Sequence, residues 1–167
     1  MEIFKDIDAY CDLKIKSDKL RNKIRVLGSS FRKPNDEEKR NIEKASETLS
    51  KVDEQLHRLH SKIINKVKSF DAIALQEIIA SILENKNKLN DKIKILNQKR
   101  EEAVLKAKEA CIQREVSGNF TFDNFADEYQ GEILDIQSKI KSYQYFIDNI
   151  QYRIRDLDQN VTFGHIN

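Results

Sequence analysis

Apolar residues recur along this chain at alternating steps of three and four, the repeat that lays one stripe along a helix. The repeat runs unbroken through Ile42, Ala45, Leu49, Val52, Leu56, Leu59 and Ile63. It predicts a helix from Asn35 to about Lys68, with Asn35 as N-cap and Glu38 completing a capping box. An earlier helix is predicted from Glu2 to Leu27, where Gly28 is expected to supply a left-handed stop. A third segment, Asp71 to Ser117, has a seam of Leu75, Ile79, Ile82, Leu89, Ile93 and Leu96, then Ala103, Ala107 and Ala110. Lys86 and Arg100 interrupt this seam. Their stems can lie on apolar surface while their charges fix register. The alanines would let a neighbouring helix approach closely.

Ser117-Gly118-Asn119 breaks the chain, and Thr121 or Asp123 caps a fourth helix to about Asp158. Its seam is Ala126, Tyr129, Ile133, Ile136, Ile140, Tyr143, Ile147, Ile150, Ile154 and Leu157. Isoleucine at both seam positions favours packing against more than one helix. The expected fold is therefore all-α: an elongated antiparallel bundle or coiled coil of four long helices. Residues 1–159 form the bundle and 160–167 a C-terminal tail. One alternative lies at Ser69-Phe70-Asp71, which contains neither Gly nor Pro. A tight turn capped by Asp71 is favoured there, against a fusion of the second and third segments that would leave three helices.

Composition supports long helices: four Gly, one Pro and 35% charged residues leave few breakers and wide solvated faces. A β-rich fold would need more turn residues. From Asn85 to Lys108 eight Lys/Arg face three acids, and from Phe120 to Asn160 eight Asp/Glu face four cations. A basic third helix beside an acidic fourth makes a hairpin. The net charge of +2 argues against a dedicated nucleic-acid binder. Locally, however, Lys14, Lys16, Lys19, Arg21, Lys23 and Arg25, with Arg32 and Lys33, are opposed only by Asp18. That stretch could meet phosphates, so a nucleic-acid-associated accessory subunit is the alternative function.

The opening MEIFKDIDAY lacks the basic end and apolar run of a signal peptide. No run of about 18 uncharged apolar residues is present, so no membrane partner is expected. Cys11 and Cys111 read as reduced, packed thiols, and a cytoplasmic setting follows. The wealth of Lys, Asn and Ile fits an AT-rich bacterial or phage genome.

Candidate chemistry is sparse. Glu54 and His57 have the i, i+3 spacing of carboxylate-bridged metal bundles, and His60 follows one turn later. Such a site needs further ligands, and the third and fourth helices contain no His. No metal and no cofactor is expected. There is no Gly-rich phosphate loop, no Ser/His/Asp set and no histidine to activate either cysteine.

The function expected is that of a non-enzymatic helical protein-interaction module, an adaptor, assembly or inhibitory subunit binding another protein or itself. Its candidate contacts are aromatic and basic. Phe31, Arg32 and Lys33 lie in the first loop, and Phe120 and Phe122 in the last. Up-down topology brings those loops to one end, where the rings form an end cap or, exposed, a hot spot. Tyr145 and Tyr152 sit seven residues apart on the face opposite the fourth seam.

Overall fold

The computed structural model describes residues 2–29, 34–117 and 125–163, with side chains over 2–29, 34–112 and 127–159. Four helices follow one another: α1 (Glu2–Gly28), α2 (Asp36–Ser69), α3 (Ala72–Ser117) and α4 (Phe125–Phe163). No strand occurs among the described residues. The all-α antiparallel bundle is thus the fold. α1 pairs with α2 and α3 with α4 along their lengths, and the two hairpins join mainly through α1 and α4. α2 and α3 scarcely touch.

Local signals explain the helix ends. The Glu38 amide donates to Asn35 Oδ1 and the Asn35 amide to Glu38 Oε2, both at 2.8 Å, so the capping box forms. The Ala74 amide donates to Asp71 Oδ1 at 2.8 Å, which makes Asp71 the cap of α3. Phe70, at φ −90° and ψ 149°, is the extended residue that turns the chain. α2 and α3 are therefore separate helices. Gly28 differs from expectation. Its φ is not positive; it closes α1 as an ordinary helical residue, and the Ser29 hydroxyl donates to the Val26 carbonyl at 3.2 Å. α4 also runs past Asp158 to Phe163.

The main core lies at the end of the Phe70–Asp71 joint. Ile3, Ile7 and Cys11 of α1 meet Ile63 and Val67 of α2, Leu75, Ile78 and Ile82 of α3, and Tyr143, Phe146, Ile147 and Ile150 of α4. Ile78 is the more deeply buried partner of the expected Ile79, which packs at the edge. Phe146, off the predicted seam, is fully buried because α1 and α2 meet α4 on that flank. A smaller cluster, Leu96 with Ile133 and Ile136, holds α3 to α4 farther out.

Both interruptions of the α3 seam are answered from α4. Lys86 Nζ donates to Gln144 Oε1 at 2.6 Å, and the Arg100 guanidinium donates to the Gln130 side-chain carbonyl. In both pairs the residue numbers sum to 230, so one register spans two heptads. That register sets Phe125, where α4 begins, opposite position 105. Residues 106–117 of α3 then run past the start of α4 by roughly 18 Å, at about 1.5 Å per residue. The charge pairing expected across this hairpin includes Lys92 with Glu132 at 2.6 Å.

Because the core is concentrated, Ile147→Ala should cost about 2–5 kcal/mol in urea unfolding. Ile95→Ala, at an exposed site, should stay within about 0.5 kcal/mol. Equal losses at the two positions would contradict this placement of the core.

Candidate interaction surface

α1 is joined to its neighbours by buried and half-buried polar groups. Toward α2, the fully buried Ser17 hydroxyl donates to Asp53 Oδ1 at 2.8 Å. Arg21 reaches the other Asp53 oxygen at 2.6 Å and Ser17 Oγ at 3.3 Å. A misaligned α1 would leave Ser17 buried and unpaired, so this trio pins the hairpin's register. Near the joint, Asp6 accepts from Lys62 at 2.9 Å and Lys66 at 3.0 Å. Burial would raise the Asp6 carboxyl, but the two lysines outweigh it and hold it below its ordinary 3.8.

Toward α4, Lys139 Nζ lies 2.7 Å from Asp8 and 2.8 Å from Asp12, and the buried Tyr143 hydroxyl donates to Asp8. Burial would raise the Asp8 carboxyl; Lys139 and Tyr143 overcome it and hold it below 3.8. Burial would likewise lower Lys139, and Asp12 and Asp8 reverse that. Cys11 sits beside this group, and burial pushes its thiol up to about 12. It is a free, fully buried thiol. Sequence spacing gave no sign of this network, because Asp8, Asp12 and Lys139 read as ordinary solvated charges.

The basic stretch of α1 is largely answered within the fold. Lys14 pairs with Asp18 at 2.9 Å, Lys19 with Asp135 of α4, and Arg21 with Asp53. Arg25 donates to Asn22 at 2.9 Å. Lys16 and Lys23 project into solvent. Three of the six cations are thus in ion pairs.

The histidines have other employment. Glu54 pairs with Arg58, and His57 is exposed. His60 Nε2 lies 2.9 Å from the Tyr145 hydroxyl. Its ring packs with Tyr10 and Phe146, forming an aromatic cluster between α1, α2 and α4. Among the described residues no three His, Cys, Asp or Glu side chains converge on a metal position. Nor is any described helix long and apolar enough to cross a membrane.

Of the candidate contact residues, Phe31, Arg32, Lys33, Phe120 and Phe122 lie outside the described residues. Tyr145 and Tyr152 of α4 are both exposed but differ in setting. Tyr145, at 44% exposure, is fastened to His60 and sits edge-on to Phe146 at 5.3 Å. Tyr152 projects at 66% exposure. The His60 contact, which spacing alone does not reveal, depends on α2 crossing that flank. Two further apolar side chains, Leu105 and Ile112, are exposed on the C-terminal part of α3. Leu134 is exposed on the outer side of α4.

No protein-family model, curated protein or solved structure matches this chain. Its own geometry therefore carries the functional reading.

The Asp8 cluster generates a pH prediction. Asp6 and Asp8 titrate below 3.8 in the fold, so their contribution is present above that value and lost as pH falls through the folded one. Lys139 titrates above 10.5, so its contribution holds below that value and is lost as pH rises through the folded one. The melting temperature should be level between about pH 5 and 9 and fall below about 4. Asp8→Asn should lose roughly 1–2 kcal/mol at neutral pH and flatten the acid limb. An acid limb unchanged in that variant would remove Asp8 from the account.

Proposed function

We propose that this chain is a non-enzymatic interaction module: a two-hairpin scaffold offering its loop end and the outer face of α4 to another protein or to a second copy of itself. The observation that supports this reading is a pair of exposed apolar side chains on the C-terminal part of α3. Leu105, level with the start of α4, is 58% exposed, and Ile112, two turns beyond, is 65% exposed. Apolar groups raised off a fold in this way gain free energy when a partner covers them.

The segment that follows directly contains Phe120 and Phe122, and the loop between α1 and α2 contains Phe31, Arg32 and Lys33. Aromatic and Arg side chains are the groups that dominate interface energetics. Tyr152 adds an exposed ring on α4. The nucleic-acid alternative has weaker support, since half of the Lys14–Arg25 cations are paired internally and the net charge is +2. Both cysteines are free, which suits a cytoplasmic setting.

Photo-crosslinking amino acids placed at positions 112, 152 and 51 test the reading in cells of the source. Positions 112 and 152 should give one discrete adduct, and Lys51, an exposed polar position on α2, should give none. An adduct mass of twice 19.6 kDa would identify a second copy as the partner. Equal labelling from all three positions, or none from any, would overturn the proposed surface.

A further inference from the structure

The joint between the hairpins is short. It consists of Phe70 and Asp71, and the stretch Lys68–Ala72 contains neither Gly nor Pro. Its break from helix rests on a few local contacts: the Ser69 hydroxyl donates to the Lys66 carbonyl at 2.7 Å and the Arg153 guanidinium to the Lys68 carbonyl at 3.5 Å. The Phe70 amide makes a long 3.4 Å bond to the Val67 carbonyl, Asp71 caps Ala74, and Phe70 packs at the edge of the core. The apolar stripe also passes through it. Ile63, Val67, Phe70, Ala74, Ile78 and Ile82 follow at steps of three and four, so a continuous helix would keep them on one side.

Straightening the joint sacrifices almost nothing between α2 and α3, because they scarcely touch. What it does separate is the seam joining the hairpins: α1 from α4, with the shared core. A second copy opened in the same way presents the same surfaces, already complementary in shape and charge. Lys139 would find Asp8 and Asp12, and Lys19 would find Asp135, across the two chains. Each α1–α2 hairpin would sit on the α3–α4 hairpin of the other copy, related by a two-fold axis near the joint.

We infer that two copies of this chain exchange hairpins about the Phe70–Asp71 joint, with α2 and α3 of each fused into one helix. That helix spans residues 36–117 and is about 120 Å long, at about 1.5 Å per residue. The inference stands apart from the partner surface proposed above, since the exchanged contacts are those already present in the monomer.

Two substitutions push the equilibrium in opposite directions. Asp71→Ala removes the cap that specifies the break. Ala72→Pro suits the first position of α3 in the bent form and is excluded from the interior of a continuous helix. Light-scattering chromatography after refolding at high concentration should show monomer and dimer for the wild-type chain. Asp71→Ala should raise the dimerisation constant at least tenfold, and Ala72→Pro should leave only monomer. In dimers refolded from mixed light and heavy isotope chains, zero-length crosslinks between Lys19 and Asp135 should join light to heavy. The inference is overturned if neither the wild type nor Asp71→Ala dimerises, if Ala72→Pro dimerises equally, or if those crosslinks stay within one chain.

Discussion

The joining of the two hairpins through Tyr143, Phe146, Ile147 and Ile150 is the contact on which the rest of this structure depends. A lone helical hairpin buries one narrow stripe and leaves its flanks wet. Here α4 presents a wide apolar face, and α1, α2 and α3 each contribute side chains to cover it. Full burial of such side chains stabilises by roughly 1.5–3 kcal/mol each. The densest set lies within the first few turns from the Phe70–Asp71 joint. Farther out, the hairpins depend on thinner seams: Val52 and Leu56 in one, Leu96, Ile133 and Ile136 in the other.

Polar groups decide alignment more than they add strength. Exposed ion pairs contribute at most about 1 kcal/mol each. A buried or half-buried group in the wrong register loses its partner and incurs the full desolvation cost. Ser17 with Asp53 sets α1 on α2, Lys139 with Asp8 and Asp12 sets α1 on α4, and the Lys86–Gln144 and Arg100–Gln130 pairs set α3 on α4. The extension of α3 past the start of α4, which includes Ile112, follows from that last register.

The helices and most of their seams were legible in the sequence, since the spacing of Ile42 to Ile63 and of Ile133 to Ile150 is set by helix geometry alone. The Asp71 cap and the Asn35–Glu38 box were legible for the same reason: each is a local bond. What escaped reading depends on distant chain. Phe146 and His60 are buried or half-buried because a third helix crosses their flank. Asp8 and Lys139 look solvated until α1 meets α4. Gly28 offered the freedom to turn left-handed, yet the chain turns after it. Of the candidate surface, the exposure of Leu105 and Ile112 on α3 could not be read, because helix length does not reveal register.

Native-state hydrogen exchange, resolved by peptide, tests the central claim most directly. If one four-helix core near the joint holds both hairpins, amides in 59–67, 75–82 and 143–150 should exchange slowest and with a common opening free energy. Those in 96–112 should exchange orders of magnitude faster. Protection in 96–112 equal to that of 75–82, or separate opening free energies for the two hairpins' core segments, would contradict the account.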